Sequence, residues 1–153
     1  MISKRASKFT SFIVMDVMAK AEELERQGEN VIHMEVGEPD FPTPPVIMKA
    51  ARDALSKNKT LYTHALGLLE LRQAICDFYF REYGVSITPD QVLVSTGTSP
   101  ALLFAMLAIL DPDDEVILSN PRYPCYQNFI LAAGGKTREV RTYPEDGFQY
   151  RPK

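Results

Sequence analysis

The sequence predicts an α/β fold, an N-terminal helical arm followed by the first part of a mostly parallel sheet flanked by helices. Three observations carry this. Beyond Asp90, short apolar runs rich in β-branched residues, QVLVS (91–95) and EVILS (115–119), alternate with the helix-length stretches SPALLFAMLAIL and PCYQNFILAA. A third extended run, KTREVR (136–141), follows the pair Gly134–Gly135. Strand, helix, strand, helix, strand is the pattern of a parallel layer, whose right-handed crossovers lay the helices against the sheet.

The earlier elements read in order. Ile13, Val14, Val17, Met18, Ala21 and Leu24 recur at helical spacing, and Gly28 closes that helix. VIHMEV (31–36) reads as a short strand. GEPDFPTPP (37–45) holds four prolines in nine residues and must be an irregular, ordered loop. Thr43 is the expected cap of a helix that runs to Lys57, with prolines in its first turn. Residues 61–66 form a loop. Gly67–Tyr83 is a further helix, with Leu68, Leu71, Ile75, Phe78 and Tyr79 expected on its inner side. YPEDGF (143–148) is turn-like, and a sheet of three strands ending there calls for more strands. Residues 1–45 are expected to form an arm and small-domain segment, and 46–153 the first part of a larger domain.

Composition bounds the function. The chain has 153 residues, 45% of them apolar and 24% charged, the balance of a soluble globular protein with a core of its own. Seventeen basic residues against twenty acidic give a net charge of −3, no field for holding nucleic acid or an acidic membrane. Lys4, Arg5 and Lys8 are too few for a binding tail, so a flexible arm is expected there. No apolar region of a signal peptide follows them, and no apolar run reaches the ~18 residues of a membrane span. Cys76 and Cys125 stand far apart, with neither metal-ligand nor disulfide-framework spacing. The expected location is the cytoplasm.

STGTSP (95–100) interrupts this core with six small residues, four of them hydroxylated. The first N–H groups of a helix have no partner within it and stand at the positive end of its dipole. Gly97 permits a tight turn and close approach to the backbone, Thr98 and Ser99 offer N–H and O–H donors, and Pro100 suits a first helical turn. The segment can therefore hold a phosphate, or it can be a plain helix cap. Neither GxGxxG nor GxxxxGK[ST] is present, which disfavours a nucleotide-binding module. NPRYPCY (120–126) follows EVILS, and loops at the carboxyl ends of neighbouring strands share one crevice. Tyr123 and Tyr126 are then either ring plates for a flat phosphorylated ligand or ordinary core and rim aromatics.

Taken together, MAKAEELERQGENVIHMEVGEPDFPTPP, YTHALGLLELRQAI, VSTGTSPAL, DEVILSNPRYPCY and the closing Gly-Gly resemble the N-terminal part of the class I pyridoxal-phosphate-dependent aminotransferases. The branch is the aspartate aminotransferase-like one of fold type I. The resemblance runs from about Ser11 to Gly135; GEPDFPTP is fairly specific and the ordered set strong.

The resemblance implies pyridoxal 5'-phosphate (PLP) as cofactor, an amino acid and a 2-oxo acid as substrates, and a homodimer. It implies that Gly37 borders the substrate carboxylate and that Tyr62 reaches across to the partner's cofactor phosphate. Thr98 and Ser99, beside Gly97, would cradle the phosphate, Tyr123 would stack on the pyridine ring, and Asn120–Pro121 would be a cis bond. The family's Schiff-base lysine, its Asp against the pyridine nitrogen and its Arg for the substrate carboxylate fall beyond position 153. No catalytic residue is therefore expected in this chain, and by itself it is expected to be inactive. A PLP-dependent lyase or decarboxylase of the same fold, and a non-catalytic binding module that keeps the fold, are the alternatives.

The remaining residues take structural readings. His33 is expected in a core or on a sheet face and His64 on the surface near an interface. Glu38 and Asp40 are expected to stabilise their loop rather than form an acid–base pair. Met15, Met18, Met34, Met48 and Met106 read as core filler. Lys49, Lys57 and Lys59 read as surface charge, Lys136 as the start of an edge-like segment, and EELER as a solvated helix face.

Overall fold

The computed structural model describes residues 2–151. In chain order the elements are α1 (Ile13–Arg26), α2 (Pro45–Ser56), α3 (Leu69–Tyr83), α4 (Thr98–Ile109), β1 (Glu115–Asn120), α5 (Cys125–Ala133) and β2 (Lys136–Arg141). Short 3-10 turns lie at Ala6–Lys8, Pro89–Gln91 and Pro144–Asp146. The chain divides into two compact units, Glu38–Gly97 and the combination of Met1–Gly37 with Thr98–Lys153.

In the second of these units, β1 and β2 pair in parallel, Glu115 opposite Lys136 through Asn120 opposite Arg141. Parallel neighbours need a crossover, and α5 supplies it. Ile130 on α5 is fully buried. A Cβ on Gly135 would stand 3.0 Å from its Cγ2 and 3.2 Å from the Asp114 carbonyl, so a side chain there would crowd the helix against the strand ends. The basic N-terminal segment was expected to be a flexible arm, but it is docked on α5. Arg5 donates to the Ala132 carbonyl at 2.9 Å, and the Asn128 side chain donates to the Thr10 carbonyl at 2.9 Å while accepting from the Thr10 N–H at 3.3 Å. The α5 amide satisfies a backbone turn that has no ladder of its own.

Two expected strands do not form. The 31–36 and 91–95 backbones carry β-branched side chains but face no neighbouring strand among the described residues, and a ladder needs a partner. Val94 makes a single link, its N–H donating to the Leu66 carbonyl at 3.0 Å. His33, expected in a core or on a sheet face, is instead bracketed by two carboxylates, Glu25 at 3.1 Å from Nε2 and Glu35 at 2.6 Å from Nδ1. These hydrogen bonds raise its pKa, Glu35 first and Glu25 second, and the same contact lowers that of Glu35.

In the Glu38–Gly97 unit the helices form as expected, but their faces differ. α2 begins at Pro45 behind Pro44, and no Thr43 hydroxyl caps it. On α3 the buried stripe is Arg72 and Cys76, while Leu68, Leu71, Phe78 and Tyr79 stay exposed. The guanidinium wins the inner position because it can satisfy carbonyls that a Leu would leave orphaned. Arg72 donates from Nε to the Gly67 carbonyl at 3.2 Å and from a terminal nitrogen to the Pro89 carbonyl at 2.8 Å, with Asp90 at 3.5 Å. Gly67 takes φ +97°, and a Cβ there would fall 2.7 Å from that of Val94, so this turn requires glycine. Met15, Met34 and Met48 are exposed rather than core filler, because no element covers their helix faces or loop among the described residues. Glu38 and Asp40 are exposed and bond no loop backbone among the described residues, leaving the prolines to stiffen it. EELER is solvated as expected, with Lys20–Glu23 and Glu22–Arg26 pairs on its surface.

Three outcomes are expected. Ile130→Ala costs about 2–5 kcal/mol, read as a lower urea midpoint at unchanged slope. Arg72→Lys does not restore what Arg72→Ala loses, about 1.5–3 kcal/mol for each charged hydrogen bond, because an ammonium cannot fork to both carbonyls. For His33 the raised pKa means its contribution is full below its unfolded value and disappears as pH rises through the folded one. The lowered Glu35 pKa makes its contribution disappear as pH falls through the folded value, which leaves a weakly acidic window of best protection. Amide exchange at the end of α1 should be slowest in that window, and His33→Gln should flatten the profile.

Candidate cofactor cradle

The site is built where the chain enters α4. Gly97 has φ +112°, a left-handed conformation that reverses the backbone just before the helix. A Cβ at Gly97 would meet nothing within 4 Å, so the space beside this turn is open. The Ser95 hydroxyl donates to the Gly97 carbonyl at 2.5 Å and fixes the turn from within. α4 then starts at Thr98, one residue ahead of the stretch SPALLFAMLAIL, with Pro100 inside its first turn as expected. No backbone or side-chain acceptor takes the Thr98 or Ser99 N–H among the described residues, and Gly97, Thr98 and Ser99 are all exposed. Two unpartnered donors therefore point out of the positive end of a twelve-residue helix.

Tyr123 stands beside them. Its phenol is held above its ordinary pKa chiefly by the neighbouring Cys125 side chain, and burial and Tyr126 add to this. The neighbouring Ser99 hydroxyl acts weakly the other way. The phenol stays protonated at neutral pH and can donate. The ring lies edge-on to Phe12 at 6.0 Å and to Tyr126 at 5.2 Å, yet is still 43% exposed, so it is neither core nor free to swing. The bond before Pro121 is cis, as the resemblance implies.

The other expected residues are not drawn into this group. Tyr62 is fully exposed in the loop before α3 and has no hydrogen-bond or ring partner among the described residues. Gly37 is exposed with open space where a Cβ would stand. His64 lies on the surface, as expected, and its ring accepts from the Leu66 N–H at 3.1 Å. Phe12 and Cys125 are neighbours of Tyr123 that the sequence did not single out. Cys125 could have been found from its spacing of two residues; for Phe12, over a hundred residues away, no local signal exists. A groove of 920 Å³ lies along β2 and the turn after it, lined by Arg141, Tyr143, Asp146 and Arg151 among others, and none of the expected site residues lines it. Among the described residues no three His, Cys, Asp or Glu side chains cluster as metal ligands, and no helix is long and apolar enough to cross a membrane.

The cradle fits a phosphorylated aromatic such as PLP: orphan N–H donors and hydroxyls for the dianion, a half-exposed ring for the aromatic part, and no Cβ in the way. The family model for aminotransferase class I and II matches residues 29–153. A (5-formylfuran-3-yl)methyl phosphate transaminase of Methanocaldococcus jannaschii is 47% identical over 136 residues, 89% of this chain and 37% of that protein. An aspartate/prephenate aminotransferase of Thermus thermophilus is 41% identical over 152 residues, 99% of this chain and 40% of that protein. The solved aspartate aminotransferase of Thermus thermophilus with maleate superposes with a TM-score of 0.94 at 41% identity, over 99% of this chain and 40% of that one. The chain thus spans about two fifths of the length of the relatives it matches. With a family model over most of its length and a fold to match, the chain belongs to the class I and II aminotransferases, fold type I.

Proposed function

We propose that this chain forms the cofactor-cradling N-terminal portion of a PLP-dependent aminotransferase, and that the whole protein moves an amino group from an amino acid to a 2-oxo acid. The observation that carries the reading is the pair of unpartnered N–H groups at Thr98 and Ser99 with Tyr123 beside them.

In this reading Thr98 and Ser99 bind the cofactor phosphate through N–H and O–H donors, and Gly97 keeps the approach clear. Tyr123 lies against the ring face and restricts its tilt. Tyr62, exposed and without a partner among the described residues, reaches the phosphate of a second subunit in a homodimer. Gly37 leaves room for the substrate carboxylate beside the backbone. Bound there, PLP supplies an electron sink for the substrate's α-carbon and an aldehyde that accepts the amino group. Residues 1–45 serve as arm and small-domain segment and 46–153 as the opening of the large domain. Two free thiols and a modest net charge support a cytoplasmic setting.

Expression of the complete reading frame that contains this chain, followed by addition of PLP, tests the reading. The expected result is a visible absorption band of bound cofactor that an amino acid bleaches and a 2-oxo acid restores. Release of ammonia or carbon dioxide instead would move the assignment to a lyase or decarboxylase, and no binding at all would leave a module without the chemistry. Replacing Thr98 and Ser99 together by Ala removes two hydroxyl donors to a charged group, each worth about 1.5–3 kcal/mol. PLP affinity measured by fluorescence quenching should fall at least tenfold; unchanged affinity contradicts the cradle.

A further inference from the structure

Tyr123 sits in a loop with little backbone hydrogen bonding of its own, the Tyr126 N–H donating to the Tyr123 carbonyl at 3.3 Å. Pro121 and Pro124 on either side of Arg122–Tyr123 have no N–H to donate, and the loop must take its shape from outside. That outside support converges on one carboxylate. Oε1 of Glu139, on β2, lies 2.6 Å from the Arg122 guanidinium, and its Oε2 accepts from the Asn120 side-chain amide at 3.2 Å. The strand register explains the reach: Glu139 is paired with Leu118, so Asn120, two residues on, falls on the same face of the sheet. Arg122 also donates to the Gln127 side chain on α5. The Arg122 side chain is only 14% exposed, which sets this pair apart from an open surface ion pair of little worth. One carboxylate thus grips the loop at Asn120 and at the residue directly before Tyr123.

We propose that Glu139 is a positioning residue for Tyr123, acting through Asn120 and Arg122 to set the angle of the ring against the bound cofactor. The inference rests on the reading of Tyr123 as the ring plate and adds to it a residue that touches neither substrate nor cofactor. Supports of this kind typically change ligand affinity 10- to 100-fold when removed from metal sites, and the same logic of orientation applies here.

The test uses the complete protein with PLP. Four variants are compared with the parent: Glu139→Ala, Glu139→Gln, the exchanged pair Arg122→Glu with Glu139→Arg, and Tyr123→Ala. Visible circular dichroism of the bound cofactor, its dissociation constant and the amide exchange of residues 120–126 are read. Glu139→Ala and Glu139→Gln should alter the dichroic band, weaken PLP about tenfold and speed exchange at Arg122 and Tyr123, with α5 exchange unchanged. The exchanged pair should recover most of the band and the affinity. Should the alanine variant not fold, the glutamine variant, which keeps the shape, carries the comparison. If Tyr123→Ala weakens PLP while both Glu139 variants keep the parent's band and affinity, the positioning role is overturned and the plate reading survives. If Tyr123→Ala changes neither band nor affinity, the plate reading fails and the positioning role fails with it.

Discussion

Everything at this site depends on two backbone N–H groups, of Thr98 and Ser99, that have no acceptor among the described residues. A helix always has such groups at its start, and most proteins cover them with a capping side chain. Here the Ser95 hydroxyl is spent on the Gly97 carbonyl and the left-handed turn at Gly97 carries the incoming backbone aside. The Thr98 and Ser99 donors are left pointing into open space, at the end of a helix whose dipole favours negative charge.

β1 ends at Asn120, the loop turns through two prolines, and Tyr123 arrives beside Ser99. Its ring is flanked edge-on by Phe12 from the N-terminal segment and Tyr126 from α5. The arm that places Phe12 is itself pinned by Asn128, so α5 serves as crossover, wall and anchor at once. α4 complements this with an apolar surface all round, and Phe104, Leu107 and Ile109 are exposed on it, the composition of a helix buried on every side.

Much of this was legible in the residues. The helical periods of α1 and α3, the Pro-rich entry to α2, the Gly134–Gly135 stop and the strands EVILS and KTREVR all follow from local pattern. The start of α4 behind a turn at Gly97 was legible for the same reason, since Gly, Thr, Ser and Pro at a helix entry are local chemistry. What was not legible depends on partners distant in sequence. VIHMEV and QVLVS carry strand residues, but a strand exists only where another strand pairs with it. Arg72 lies inside α3 because two carbonyls, of Gly67 and Pro89, happen to face it, and no apolar period can announce that. The docking of the N-terminal segment depends on Asn128, more than a hundred residues away.

The most direct test of the central claim is to watch the two amides themselves. In the complete protein labelled with ¹⁵N, the Thr98 and Ser99 N–H resonances are followed as PLP is added, with inorganic phosphate as a second titrant. The account predicts that both amides shift strongly and together with either titrant, PLP saturating at lower concentration, while the start of α3 is undisturbed. If PLP binds and these two amides do not move, the phosphate is held elsewhere and the account of this site is wrong.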